Sequence, residues 1–233
     1  MVRSRSPAPL TVGMVMFPNF TQLDLTGPYE VFARMPDTTV YLVAATPAPV
    51  CSERGLSITP DVSFDRVPPL DIVCVPGGIG INLMMEDAAV LRFLETQAQH
   101  ARYVTAVCTG ALLLGAAGLL RGYRATTHWL SLDLLPLFGA HPVEERVVVD
   151  RNRITGGGVT AGIDFGLVVA AELFGAAVAQ EIQLTIEYNP APPFQSGSPR
   201  TAPADLRDRV IGSRATVQAE RRAIAERAAA RLV

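Results

Sequence analysis

One cysteine stands where a thiol could act on a ligand. Cys108 lies in "YVTAVCTGALLLG", between a short β-branched run and a long apolar run. A residue in a tight strand-to-helix turn is raised into a cleft in a strained backbone conformation, and the turn tolerates only small neighbours such as Ala106 and Gly110. The amino end of the following helix would stabilise a thiolate, which is the reactive form. The pattern therefore predicts a nucleophile elbow built on cysteine.

The alternative for a free cysteine is a small buried hydrophobe. We apply that interpretation to Cys74, which lies inside the apolar run "DIVCV", and we expect Cys51 at an exposed strand edge. For Cys108 the position between a strand and a helix favours the nucleophile.

Three other sites could assist a thiol. Asp24, in "TQLDLTGPYE", is a carboxylate between two leucines shortly after the first predicted strand, although a helix cap is the common role of such an Asp. Gly77-Gly78 follow "DIVCV", where backbone N–H groups could approach an anion or where the glycines only form a tight turn. His128, in "ATTHWL", is a possible base, with a helix-start or core position as the alternative.

Composition excludes several kinds of chemistry. All 20 basic residues are arginine, so Schiff-base catalysis and a Walker lysine are excluded. Three cysteines without a CxxC pair, and three histidines without ligand spacing, indicate neither a disulfide framework nor a metal site. "PGGIG" has glycines but not the GxGxxG order of a dinucleotide site.

Charge and hydropathy describe a globular chain. Of its 233 residues, 49% are hydrophobic, enough for a sizeable core, and the net charge of −2 gives no overall basic balance for nucleic acid. No apolar stretch reaches the roughly 18–20 uncharged residues that a membrane span needs. The start, "MVRSRSPAPL", lacks the apolar centre of a signal peptide, so we expect a cytoplasmic protein.

Short apolar runs rich in β-branched residues alternate with helical patterns. Such runs are typical of strands buried on both faces, and the alternation predicts an α/β doubly wound, mostly parallel sheet with helices on both faces. The predicted strands are 11–17, 38–45, 71–75 and 102–107, and the predicted helices are "YEVFARM" after Pro28, 87–101, the run from Cys108 to about Gly122, 159–175, 176–187 and 204–232. A β-excursion at 51–64 and a hairpin at 145–157, turning at Asp150-Arg151-Asn152, would be antiparallel.

Three parts follow along the chain. Residues 1–10 are expected to form a disordered N-terminal extension, and residues 11–188 the α/β domain. Residues 189–233 hold a Pro-rich segment and a C-terminal helix expected to pack on the domain or on a partner chain. Leu206, Val210, Val217 and Ile224 mark a thin apolar stripe on that helix, and its arginines are interpreted as a solvated face.

Several motifs together carry a family resemblance. The stretches "FPNFTQLDLTGPYEV", "DIVCVPGG", "YVTAVCTGALLLGAAGLLRGYRATTHW", "ITGGGVTAGIDFGLVVAAELFG" and "QLTIEYNPAPPFQSGSP" resemble the PfpI-like branch of the class I glutamine-amidotransferase-like superfamily. Within that branch the sequence is most similar to the isocyanide-hydrating subfamily. The resemblance covers nearly the whole chain.

The resemblance implies a flavodoxin-like fold, a homodimer and a small-molecule isocyanide substrate, with neither a metal nor an organic cofactor. It implies that Cys108 is the nucleophile, that Asp24 is the acidic partner, and that Thr109 follows the nucleophile where many relatives have histidine. That threonine argues against peptide and glutamine hydrolysis. Gly78 and Ile79 are the predicted substrate-binding residues. The implied reaction hydrates an isocyanide to an N-substituted formamide through a thioimidate on Cys108.

Two other functions stay open. The amino-terminal domains of AraC-type regulators have a similar "ATTHW"-like core, but only about 30 residues follow the Pro-rich segment, too few for the DNA-binding module. The alternative is therefore a ligand-sensing domain without DNA binding. An activated thiol beside a carboxylate also oxidises readily, so redox sensing through Cys108 is a further alternative.

Overall fold

The computed structural model describes residues 9–232, and the predicted N-terminal extension lies almost wholly outside the described residues. The strands are β1 (Leu10–Val15), β2 (Thr38–Ala44), β3 (Val50–Cys51), β4 (Ser57–Ile58), β5 (Val62–Ser63), β6 (Ile72–Val75), β7 (Tyr103–Val107), β8 (Arg124–Ala125), β9 (His141–Pro142), β10 (Val147–Asp150) and β11 (Arg153–Gly156). The helices are α1 (Gln22–Phe32), α2 (Ile81–Met84), α3 (Ala88–Ala98), α4 (Gly110–Ala116), a 3-10 helix (Trp129–Phe138), α5 (Ala161–Phe174), α6 (Ala176–Thr185) and α7 (Ala204–Ala230).

The main sheet of the described chain has the strand order β10-β11-β7-β6-β1-β2-β5. Every neighbouring pair is parallel except the hairpin β10–β11, so the predicted mostly parallel α/β sheet is confirmed. The excursion forms as the antiparallel pair β3–β4, but β5, predicted as part of it, joins the main sheet beside β2. The central strands are apolar because helices cover both faces.

The strand order places three strand ends side by side. β6 lies between β1 and β7, and all three run in the same direction. The chain leaves β1 toward β2 and later returns to fill the other side of β1, and this change of direction opens a crevice at the carboxyl ends of the strands. The segments after β1, β6 and β7 hold Asp24, Gly77 and Cys108 respectively.

Helix α1 begins at Gln22, seven residues before the expected start at Tyr29. Leu25, Pro28, Val31 and Phe32 are buried at helical spacing, and this packing outweighs the one backbone hydrogen bond that an internal proline removes. Asp24 consequently lies in the first turn of α1, two residues after the helix begins.

Helix α4 ends earlier than expected, at Ala116 rather than near Gly122. Gly118 adopts φ +71° and its N–H donates to the carbonyl of Gly115, which closes the helix. Gly122 also has positive φ, but it belongs to the following turn.

Helix α7 packs through its second half against the 3-10 helix, α4 and α2. Its buried residues are Arg221, Ile224, Ala225 and Ala228, whereas most of its first half is exposed. Within residues 9–232, no helix is both long and apolar enough to cross a bilayer.

Candidate active site

Cys108 occupies the strained turn that its sequence context predicts. Its φ is +57°, an uncommon value for a residue with a side chain. The surrounding structure holds it there: its N–H donates to the carbonyls of Gly156 and Gly157, and its carbonyl accepts from Thr127 Oγ1 at 2.7 Å. A Cβ on Gly110 would lie 2.2 Å from the Val75 carbonyl oxygen, so the small neighbour is a requirement of the turn.

Asp24 reaches the same place from α1. It is fully buried, and Oδ2 accepts the N–H of Gly77 at 3.0 Å. The other oxygen, Oδ1, is buried without a hydrogen-bond partner among the described residues. Asp24 is thus no helix cap, and its second oxygen is available to a ligand or to the neighbouring thiol.

Gly77 lies between the carboxylate and the residue after the nucleophile. A Cβ on Gly77 would approach Asp24 Oδ2 to 2.8 Å and both N and Oγ1 of Thr109 to 2.7 Å. No side chain fits there, so the close approach of α1 and the elbow depends on glycine at the end of β6.

Thr109 is tied to the neighbouring glycine. The N–H of Gly78 donates to Thr109 Oγ1 at 3.0 Å, and Oγ1 lies 3.3 Å from the Gly78 carbonyl. The N–H of Gly78 is therefore directed at Thr109 in this structure.

Burial opposes the ionisation of both acidic groups of the site. Burial raises the pKa of Asp24 to about 7, against the opposing effects of the Cys108 thiol and the Gly77 N–H. Burial, and then the charge of Asp24, raise the pKa of Cys108 well above its usual range, although the N–H groups of Thr109 and Val159 oppose this. Desolvation thus opposes the stabilisation of a thiolate that the amino end of α4 is expected to provide.

His128 begins the 3-10 helix, as its alternative interpretation proposes. Nδ1 accepts the N–H of Leu130 at 3.3 Å. Burial and the charges of Arg221 and Arg214 lower the pKa of His128 to about 4, so the ring is neutral at neutral pH. The other two cysteines lie where expected: Cys74 is buried in β6 and Cys51 is exposed.

A pocket of about 290 Å³ opens above the thiol. Of the predicted site residues, Gly78, Ile79, Cys108 and Thr109 line it, and Asp24 lies behind them against Gly77. Residues from other elements complete the lining, namely Thr21, Glu53, Arg54, His128, Leu130, Val159, Arg214, Val217, Gln218 and Arg221.

Arg221 is a pocket residue that the sequence analysis missed. It is only 6% exposed and comes from α7, whose arginines were interpreted as solvated. The interpretation is wrong for this residue because its guanidinium points inward to Asn82, Ser131 and Gly78. A signal was present: Arg221 is four residues after Val217 and three before Ile224, which places it within the predicted apolar stripe.

The chain is similar to several known proteins. The sequence profile of the DJ-1/PfpI family matches residues 11–172. An isonitrile hydratase of Pseudomonas putida is 55% identical over 223 residues, which are 96% of this chain and 98% of that protein. The crystal structure of a ThiJ/PfpI family protein from Pseudomonas syringae superposes with a TM-score of 0.91 at 45% identity, covering 93% of this chain and 90% of that chain.

A regulator is also similar to this chain. The HTH-type transcriptional regulator GbdR of Pseudomonas aeruginosa is 33% identical over 188 residues, which are 77% of this chain and 51% of the regulator. The resemblance to transcriptional regulators, inferred from "ATTHW", therefore has a counterpart in GbdR, about half of which lies outside the match.

Proposed function

This chain belongs to the DJ-1/PfpI family, and from that premise we propose that it is an isocyanide hydratase that adds water to an isocyanide and releases an N-substituted formamide. Isonitrile and isocyanide are two names for the same R–N≡C group. The observation that carries the proposal is the 55% identity to an isonitrile hydratase across nearly the full length of both chains. The buried Cys108–Asp24 pair supports it, because it offers a soft nucleophile at the pocket and a proton carrier directly behind it.

In the proposed first step, the Cys108 sulfur attacks the terminal carbon of the isocyanide. The Cys108–Asp24 pair contributes one proton, which passes from Asp24 to that carbon as the carbon–sulfur bond forms. The product is a covalent thioimidate, R–N=CH–S–Cys108, next to an ionised Asp24. A pKa of about 7 suits this transfer, since an acid works best near the pH at which it operates.

In the proposed second step, Asp24 takes a proton from a water as the oxygen adds to the thioimidate carbon, and it passes that proton to the nitrogen. The tetrahedral adduct R–NH–CH(OH)–S–Cys108 then breaks its carbon–sulfur bond. The hydroxyl proton returns to the Cys108–Asp24 pair, and the formamide R–NH–CHO leaves. The pair ends with the single proton with which it began.

The residues around the pair position the nucleophile and the substrate, and they transfer no protons. Thr109 holds the Gly78 segment through its hydroxyl, and the N–H groups of Thr109 and Val159 face the sulfur. Ile79 is 41% exposed at the pocket and offers an apolar surface to the substituent of the isocyanide. Gly78 and Ile79 therefore stay the proposed substrate-binding residues.

Mass spectrometry of a single turnover tests the proposal. A simple aryl isocyanide is mixed with excess protein, and intact mass and peptide mapping follow the reaction. We expect a transient adduct of one substrate mass on Cys108, followed by release of the formamide. Cys108→Ala should abolish both, while Cys51→Ser, at an exposed cysteine, should change neither. Full turnover by Cys108→Ala would overturn the proposed role.

The proposal also covers the oligomeric state and the cellular location of the protein. We propose a cytoplasmic location from the sequence patterns and a homodimer from the family resemblance. The exposed apolar side chains of Leu184 and Phe194 offer surfaces that a partner would cover. Light scattering after size-exclusion chromatography should give twice the mass of one chain. A monomer at micromolar concentration would contradict the dimer.

The similarity to GbdR favours a second candidate, a ligand-sensing domain. A sensor binds its ligand without consuming it. If the purified protein bound isocyanides with Cys108 intact but released no formamide, this candidate would replace the hydratase. Reversible oxidation of Cys108 by peroxide without any isocyanide turnover would favour the redox form of the same alternative.

A further inference from the structure

Arg221 is a buried cation without an acidic partner. Its guanidinium donates from Nε to Asn82 Oδ1 at 2.9 Å, and Nη1 and Nη2 lie 3.4 Å from Ser131 Oγ and the Gly78 carbonyl oxygen. All three acceptors are neutral. Among the described residues, no Asp or Glu oxygen lies within 4.0 Å of this side chain. By contrast, Arg222 and Arg227 of the same helix, and Arg231 directly after it, each pair with an acid.

An uncompensated buried charge is costly. Taking a charged side chain out of water costs several kcal/mol even after relaxation, and only nearby opposite charge repays it. Hydrogen bonds to neutral groups keep the donors of Arg221 satisfied, but they do not neutralise it. A purely structural link between α7 and the pocket would need donors only, not a charge.

Negative charge near Arg221 comes first from Cys108, when that thiol is ionised, and then from the exposed Glu53 and Glu220. Arg221 and Cys108 line the same pocket, and a negative charge on Cys108 counteracts the burial that lowers the pKa of Arg221. Several charged or titratable groups surround the thiol, namely Asp24 of α1, Glu53 and Arg54 between β3 and β4, His128 before the 3-10 helix, and Arg214 and Arg221 of α7. Of the cations among them, only Arg221 is buried, and His128 is neutral at neutral pH.

We propose that Arg221 is an electrostatic positioning residue for Cys108, and that α7 is thereby part of the active site. When the thiol gives its proton to Asp24, the negative charge moves from the carboxylate to the sulfur. A cation fixed at the pocket stabilises that charge and increases the fraction of the pair that carries a thiolate. The proposal rests on Cys108 being the nucleophile of the proposed function.

Helix α7 lies outside residues 11–172, the part that the family profile matches. The charge that assists the thiol thus comes from an element beyond the family's common region. Val217 and Gln218 line the pocket from the same helix, while Ile224, Ala225 and Ala228 hold the helix on the body. The docking of α7 sets the position of the guanidinium.

The test measures the thiol itself and needs no isocyanide. The rate of Cys108 alkylation by iodoacetamide is followed by peptide mass spectrometry from pH 5 to pH 10. Arg221→Met removes the charge, Arg221→Lys keeps it, and Arg222→Met is the matched control at an adjacent exposed position. We expect Arg221→Met to raise the midpoint of alkylation by about one pH unit and to slow the reaction about tenfold at neutral pH. Arg221→Lys should restore most of the rate, and Arg222→Met should match the wild type.

A second variant keeps the test independent of folding defects in Arg221→Met. Asn82→Asp places a carboxylate against Nε of Arg221 and so offsets its charge without removing it. The Nδ2 atom that this change replaces is buried without a hydrogen-bond partner, so no such bond is lost. We expect Asn82→Asp to raise the midpoint as Arg221→Met does.

Two outcomes would overturn the inference: an unchanged alkylation midpoint in Asn82→Asp, or an Arg221→Lys variant that is folded but as slow as Arg221→Met. The second would indicate that the shape of the guanidinium matters and its charge does not. Failure of the proposed function looks different. In that case the midpoints shift as expected, but no variant, nor the wild type, hydrates an isocyanide.

Discussion

The N–H of Gly77 donates to Oδ2 of Asp24 at 3.0 Å, and a Cβ on Gly77 would lie 2.8 Å from the same oxygen. The end of β6 therefore holds the carboxylate and at the same time leaves no space for a side chain. Because Thr109 crowds the glycine from the other side, the distance between α1 and the elbow is set by backbone alone.

Gly77→Ala should greatly reduce turnover, whereas the same substitution at a distant glycine should not. The added methyl would meet the backbone N of Thr109 at 2.7 Å, and backbone cannot move aside as a flexible side chain can. We expect at least a hundredfold loss in kcat/KM and a lower thermal midpoint, with a cost of about 1–3 kcal/mol in unfolding free energy. Gly197→Ala, where nothing lies within 4 Å, is the control. Wild-type kinetics in Gly77→Ala would contradict the prediction, because turnover would then not depend on the close approach of α1 to the elbow.

Thr109→Val should destabilise the site through a missing acceptor. The buried N–H of Gly78 would lose Thr109 Oγ1 and remain unpaired, which costs about 1–3 kcal/mol. Thr109→Ser keeps the hydroxyl and should lose much less. Urea unfolding of both variants measures the difference. Equal stabilities of the two would show that the hydroxyl is not what holds Gly78.

The unfolding free energy of the protein should depend on pH through the ionisation of Asp24. Its pKa is raised from 3.8 to about 7 in the folded state, so the folded protein binds more protons than the unfolded chain between those values. This contribution is complete below pH 3.8 and is lost as the pH rises through 7. Between pH 5 and pH 8, the wild type should lose on the order of 2–3 kcal/mol more unfolding free energy than Asp24→Asn. Parallel pH profiles for the two proteins would contradict the raised pKa.

The rate of turnover should also depend on the protonation state of Asp24. Below pH 7 both Asp24 and Cys108 are protonated, and the pair holds one proton too many for the proposed attack. We therefore expect kcat/KM to rise with pH through about 7 and then to level off. Asp24→Asn should be slower and should lack this rise. A wild-type rate that is flat from pH 5 to pH 8 would argue against a role for the pair in the first step.

Local patterns were sufficient for much of the fold. The central strands of the sheet are short apolar runs rich in β-branched residues, a pattern that only strands covered on both faces tolerate, and each was predicted to within two residues at either end. The predicted start of α1 and the predicted end of α4 are wrong. Burial of Pro28 and the positive φ of Gly118 depend on neighbours that are distant in the chain. Propensity at a single residue does not contain that information.

The sequence by itself determined that a thiol stands in a strand-to-helix turn. A strand pattern ends and a helical pattern begins at Cys108, and the residues beside it are small enough for a tight turn. It also determined the family, through motifs spread over the whole chain. Only the tertiary structure decided that burial raises the pKa values of both Cys108 and Asp24, and that Arg221 belongs to the pocket. The reason is physical: desolvation and Coulomb energies depend on which groups surround a charge, and those groups come from α1, β6, β7 and α7, up to about 200 residues apart in the sequence.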